Sequence, residues 1–93
     1  MALQSFKCSE TEALYRTGKS RRFGNIASVA LRKLDMLHGA GALIDLRAPP
    51  GNGLEALTGN RSGQHSIRIN DQWRLCFVWT QAGPGGVEIV DYH

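Results

Sequence analysis

The sequence predicts an α+β domain in which two N-terminal helices pack on one face of a mainly antiparallel β-sheet. Three observations predict it. Ile26, Val29, Ala30, Leu34 and Leu37 recur at the spacing of one helix face and stop at Gly39. Farther on, Ile67 and Ile69 alternate with Ser66, Arg68 and Asn70, and Trp73, Leu75, Phe77 and Trp79 alternate with Arg74, Cys76 and Val78, as two half-buried strands do. Val87, Ile89 and Val90 then supply one more short strand. With 93 residues, 42% hydrophobic and 20% charged, the chain suits a single globular domain over residues 1–93, without repeat or linker.

Taken in order, residues 2–8 alternate loosely around Phe6 and suggest an opening strand. Ser9 precedes Glu12 by three positions, the capping-box spacing in which each side chain satisfies a free amide at a helix start. A short helix carrying Leu14 and Tyr15 should follow and close at Gly18. In the second helix Arg32, Lys33 and Asp35 are expected away from the centre of the apolar stripe, and His38 near the negative end of the helix dipole, with no chemistry assigned. Pro49 and Pro50 make residues 48–53 a loop. Leu54 and Leu57 anchor a short turn, which would place Glu55 as a surface carboxylate on a short helix. Residues 58–63 loop again, and residues 83–86, rich in glycine, return the chain to the last strand at 87–90.

The hairpin fixes its own register. A slip of one residue would move every buried side chain to the other face, so the apolar set requires an odd loop, and Asn70-Asp71-Gln72 is the simplest. That loop sets Arg68 opposite Arg74, a like-charged pair that costs roughly 0.2–1 kcal/mol. Either an anion lies between the two guanidiniums or both splay into water. The open face would carry Arg68, Arg74, Cys76 and Glu88, with Asp91, Tyr92 and His93 at the end of the last strand. His65, Trp73 and Trp79 fall on the apolar face and read as packed side chains; Cys76 reads as a small buried residue.

Charge and cysteine content bound the function. Eleven Lys and Arg against 8 acids give +3, a balance that permits nucleic-acid binding without proving it. The segment Arg16-Thr17-Gly18-Lys19-Ser20-Arg21-Arg22 lacks the leading glycine of a phosphate loop; it is either a basic connector that touches RNA phosphates or an acidic partner, or a solvated loop. Cys8 and Cys76 have no metal-ligand spacing, which argues against a zinc site or disulfide framework and fits a reducing cytoplasm. No apolar run reaches the ~18 residues of a membrane span, and no signal peptide is expected. Arginines with a tyrosine, an aspartate and a histidine on one open surface suit metal-free RNA cleavage. That chemistry needs a base for the ribose 2′-hydroxyl, an acid for the leaving 5′-oxygen and a cation for the charge building on phosphorus.

The stretch from Leu54 to Phe77, above all Gly59-Asn60-Arg61-Ser62-Gly63-Gln64-His65-Ser66-Ile67-Arg68-Ile69-Asn70-Asp71-Gln72-Trp73-Arg74-Leu75-Cys76-Phe77, together with the closing Asp91-Tyr92-His93, resembles the HigB branch of the RelE/ParE toxin superfamily. The resemblance covers essentially the whole length. It implies a RelE-like fold and metal-independent messenger RNA cleavage in the ribosomal A site, with no cofactor. It also implies an operon-encoded, HigA-like helix-turn-helix antitoxin, through which alone the toxin would reach operator DNA. Position by position, Arg74 matches the family's phosphate-stabilising arginine, and Asp91, Tyr92 and His93 match its C-terminal active-site residues. Arg16, Lys19, Arg21, Arg22, Arg61 and Arg68 are the candidates for binding substrate phosphates.

Two positions depart from the pattern. Glu55 stands where some relatives carry histidine and Thr58 where they carry lysine, which removes positive charge where phosphate should lie; Glu55 is either a base or a surface carboxylate. Three function classes follow: a ribosome-dependent endoribonuclease, a ParE-like inhibitor of DNA gyrase, and a non-catalytic RNA- or protein-binding module. The Tyr-His pair at the end argues against the second; the departures at Glu55 and Thr58 keep the third open.

Overall fold

The computed structural model describes residues 2–91. Two α-helices, α1 (Ser9–Thr17) and α2 (Ala27–Gly39), precede four strands, β1 (Glu55–Ala56), β2 (His65–Arg68), β3 (Trp73–Thr80) and β4 (Gly83–Asp91). The strands form one sheet in the order β1-β2-β3-β4, each antiparallel to its neighbour. Single 3-10 turns at Gly24–Ile26, Leu43–Arg47, Pro50–Asn52 and Gly59–Arg61 punctuate the connections.

The start of α1 corrects the expected capping box. Ser9 is already helical, and the extended residue before it is Cys8, which gives no side-chain cap. The amide of Glu12 bonds instead to the Cys8 carbonyl at 3.1 Å, while Glu10 and Glu12 place negative charge in the first turn, where the helix dipole favours it. At the other end Gly18 closes the helix with φ +75° and donates to the Leu14 carbonyl at 2.8 Å, as its position predicts.

Leu14 of α1 and Ala30, Leu34 and Leu37 of α2 join Phe23, Ile67, Ile69, Leu75, Phe77, Val87 and Ile89 in one hydrophobic cluster. Each buried leucine or phenylalanine in it contributes about 1.5–3 kcal/mol. Lys33 is a correction, because it is only 7% exposed. It sits three residues after Ala30 and four before Leu37, so its alkyl stem continues the apolar stripe rather than leaving it.

The β2–β3 hairpin has the expected register, with Ile67 opposite Leu75 and Arg68 opposite Arg74. Three segments differ from expectation. The opening residues make no ladder; a single parallel bridge joins Phe6 to Val87. Glu55 and Ala56 are extended and paired with Ser66 and His65, so Glu55 lies on an edge strand and not on a short helix. Two residues are too few for any periodicity to show; pairing with β2 decides their conformation. Finally, β4 begins at Gly83 rather than at Val87, and the reversal is made by Gln81 and Ala82. Gly86, at φ +57°, shares with Val87 the place opposite Phe77, a bulge that lets a glycine-rich stretch join the strand. Pro84 is tolerated because β4 lies at the end of the strand order.

Candidate functional site

Strand alternation builds the site. The register sets Glu55, Ser66, Cys76 and Glu88 in one row across all four strands, with Arg68, Arg74 and Val90 in the next. Alternation turns this set away from Ile67, Leu75 and Ile89, the core side chains of the same strands.

Arg74 is the most constrained cation in this set. Its side chain is 14% exposed. Nε donates to Ser66 Oγ at 2.7 Å and lies 3.5 Å from Glu55 Oε1; Nη2 donates to the Gly53 carbonyl and, at 3.3 Å, to the Ser66 carbonyl. The Gly53 carbonyl is presented by the loop 48–53, whose Asn52 is fully buried and accepts a hydrogen bond from Lys33 Nζ. Ser66, Gly53, Asn52 and Lys33 were not singled out from the sequence. Ser66 could have been found, because the hairpin register places it one diagonal step from Arg74; the Lys33 and Asn52 contact spans 19 residues and leaves no local signal.

The like-charged pair across the hairpin is neutralised within the chain itself. Arg68 pairs with Asp71 in the turn, and Arg74 with Glu55. Arg61 lies in the same region of the sheet, donating to Gln64 Oε1 at 3.1 Å and to Glu88 Oε1 at 3.0 Å, with Lys7 on the other Glu88 oxygen at 3.8 Å. Thr58 is exposed, just before the turn that carries Arg61. Burial pushes the Cys76 thiol up, with Arg61 pulling down and Glu88 up to lesser degrees, so the thiol stays protonated near neutral pH.

The remaining candidates fall elsewhere. Asp91 stands opposite Trp73, two residues beyond Ile89, and accepts from Gln72 Nε2 at 3.1 Å. Its alternation parity is that of Ile89, whereas Arg74 shares the parity of Ser66 and Cys76. Tyr92 and His93 lie outside the described residues. Of the basic segment, Arg16 is bound to Glu12 at 2.8 Å, and Arg22 to Glu10 at 2.9 Å while also lying over the Phe23 ring. Lys19 and Arg21 are exposed. Phe23 in turn meets Trp73 edge-on at 5.4 Å, which ties the end of this segment to the start of β3. His65 stacks on Phe77, and Trp73 and Trp79 pack against the core cluster.

Residues 4–93 match the family described as the RelE-like toxin of the type II toxin–antitoxin system HigB. The chain belongs to the HigB-like toxins. It is 46% identical to toxin HigB-1 of Vibrio cholerae over 81 residues, which is 85% of this chain and 84% of that protein. It is also 43% identical over 55 residues to an uncharacterized protein of Haemophilus influenzae, 59% of this chain and 54% of that one. For a HigB-like toxin of a type II pair, an antitoxin partner follows. Among the described residues of this HigB-like chain, no helix is long and apolar enough to cross a membrane.

Proposed function

We propose that this HigB-like toxin, as one domain spanning residues 1–93, is a ribosome-dependent endoribonuclease that cuts messenger RNA in the A site without a metal and so stops translation in the cytoplasm. The observation that carries the reading is the Arg74 guanidinium, little exposed and oriented by Ser66 and the Gly53 carbonyl on the strand face turned away from the core. A planar, permanently charged group so held is suited to the charge that develops on a scissile phosphate. In this reading the two helices cover the other face in the RelE manner.

Tyr92 and His93 supply the proton transfers, one accepting the 2′-hydroxyl proton as the 2′-oxygen attacks phosphorus, the other protonating the departing 5′-oxygen; Asp91 belongs to the same C-terminal set of active-site residues. By side-chain type a histidine suits either transfer, whereas a tyrosine donates more readily than it accepts. Arg61, Arg68 and the segment with Arg16, Lys19, Arg21 and Arg22 draw in ribosomal and message phosphates. A HigA-like helix-turn-helix antitoxin holds the toxin in check and carries it to operator DNA.

The Glu55 carboxylate beside Arg74 favours a second reading, a module of the same fold that binds RNA without cutting it. Single-turnover cleavage of a message on programmed ribosomes separates the two. Site-specific cuts establish the ribonuclease; binding without cuts leaves the module. Arrest of DNA synthesis ahead of protein synthesis after induction would instead point to a ParE-like action on gyrase.

A further inference from the structure

We propose that Lys33 and Asn52 are positioning residues for Arg74, acting through the backbone carbonyl of Gly53. The proposal rests on the reading that Arg74 meets the scissile phosphate.

Asn52 has no solvent exposure, and every polar atom of its side chain is engaged. Oδ1 accepts from Lys33 Nζ at 2.5 Å; Nδ2 donates to the carbonyls of Leu46 at 3.0 Å and Ala48 at 3.2 Å. Its own amide bonds to the Pro49 carbonyl at 2.9 Å, and the Gly53 amide to the Pro50 carbonyl at 3.2 Å. Residues 46–53 are thereby tied to α2 through one side chain. The next carbonyl along the chain, that of Gly53, is the one Arg74 Nη2 donates to. Gly53 has φ +51°, and a Cβ there would stand 3.8 Å from both Nη1 and Nη2, so the guanidinium lies directly against this backbone. A shift of the loop therefore moves the acceptor that orients Arg74.

Core stability alone does not account for the pair. Lys33 occupies a position where the stripe of α2 would accept leucine or methionine, and burial lowers its affinity for a proton, with Arg32 and Arg68 adding to the effect. An apolar side chain would fill the same space without a buried ammonium. What the lysine adds is a directed bond to Asn52, and the loop it secures is the one that touches Arg74.

The test combines a local reporter with a double-mutant cycle. In Lys33→Met the side-chain Nε–H resonance of Arg74 in nitrogen-15 spectra should move. The saturated single-turnover rate should fall about 10- to 100-fold, the scale of a misplacement near an ångström, while the ribosome concentration for half-saturation stays put. Lys33→Gln, which keeps an N–H donor, should recover most of the rate. In an Arg74→Lys background, adding Lys33→Met should change the rate by less than about two-fold, because the two substitutions break one arrangement. Asn52→Asp, which keeps an acceptor for Lys33 but loses both donors, gives the same readings should Lys33→Met melt too low. An unmoved Arg74 resonance, or a rate loss of equal size in both backgrounds, overturns the positioning role. If the wild type cuts no message while the resonance still moves, the positioning stands and the ribonuclease reading falls.

Discussion

Arg74 and the basic segment of residues 16–22 carry the same kind of charge in opposite ways. The Arg74 side chain is 14% exposed and donates to a hydroxyl and two carbonyls from two other parts of the chain. Arg16 and Arg22 are 65% and 50% exposed, each bound to one carboxylate of α1. Surface pairs of that kind contribute about 0–1 kcal/mol and are weakened by salt, so those side chains remain free to exchange partners. The difference separates two uses of a cation. An arginine held by several acceptors has its direction fixed before any ligand arrives, whereas an arginine on a solvated loop offers attraction without direction.

The largest expected effect breaks the comparison at its directed end. Arg74→Ala should reduce message cleavage about 100- to 1,000-fold, the usual loss for an electrostatic stabiliser, with thermal melts as the folding control. Arg74→Lys should recover little of it, since a point charge cannot reproduce the fork of donors. Wild-type rates in either variant would make Arg74 a structural arginine. At the other end, charge reversal at Arg16, Lys19, Arg21 or Arg22 should leave the saturated rate unchanged and weaken ribosome association. Each lost phosphate contact should make the plot of log affinity against log salt shallower by about one unit. A slope that does not respond would leave this segment as solvated surface only.

Glu55 sharpens the comparison from within the site. Its half-exposed carboxylate lies 3.5 Å from Arg74 Nε, where an incoming phosphate must compete with it. Glu55→Gln should tighten binding of a non-cleavable message analogue by about two- to five-fold, the range of a partly screened pair. Weaker binding would instead make the carboxylate part of the recognition surface.

The smallest effect concerns how stability, rather than cleavage, depends on pH through Lys33. Its pKa is lowered from 10.5, chiefly by burial. Below the folded-state pKa the full penalty of the buried ammonium is present. As pH rises from there toward 10.5, the folded chain releases the proton before the unfolded chain does, so this group's contribution moves toward greater stability. Urea melts at several alkaline pH values should therefore show wild-type stability rising relative to Lys33→Met across that window. A constant difference between the two proteins would contradict the assignment.

Much of this frame was legible in the sequence, for identifiable reasons. Strict alternation and an odd loop specify the register of β2 and β3 down to Arg68 opposite Arg74. The stripe of α2 and its stop at Gly39 are periodic over several turns. Legibility fails where a partner distant in the chain decides. Glu55 is extended because Ser66 lies beside it, and residues 83–86 become strand because β3 pairs with them, against their turn-like composition. The counter-ion of Arg74, Glu55, is likewise fixed only once the chain has folded, whereas Asp71 stands three residues from Arg68 in the turn itself. Lys33, by contrast, is legible locally, since its spacing from Ala30 and Leu37 places it on the buried side.

The opening segment has a consequence for how copies of this chain behave toward one another. Gln4 and Lys7 donate to the carbonyls of Pro84 and Val87, the Val87 and Gly86 amides donate to Ser5, and the Ile89 amide donates to Thr11 Oγ1. The outer rim of β4 is thus occupied along most of its length by residues from before or within α1. The opposite rim, β1, is only two residues long. Strand-to-strand stacking of separate molecules needs an unpaired rim of some length, and among the described residues β4 and β1 offer a neighbour little of it. Stripping residues 2–7 would expose that rim and open a route to fibrous self-association that the intact chain keeps closed.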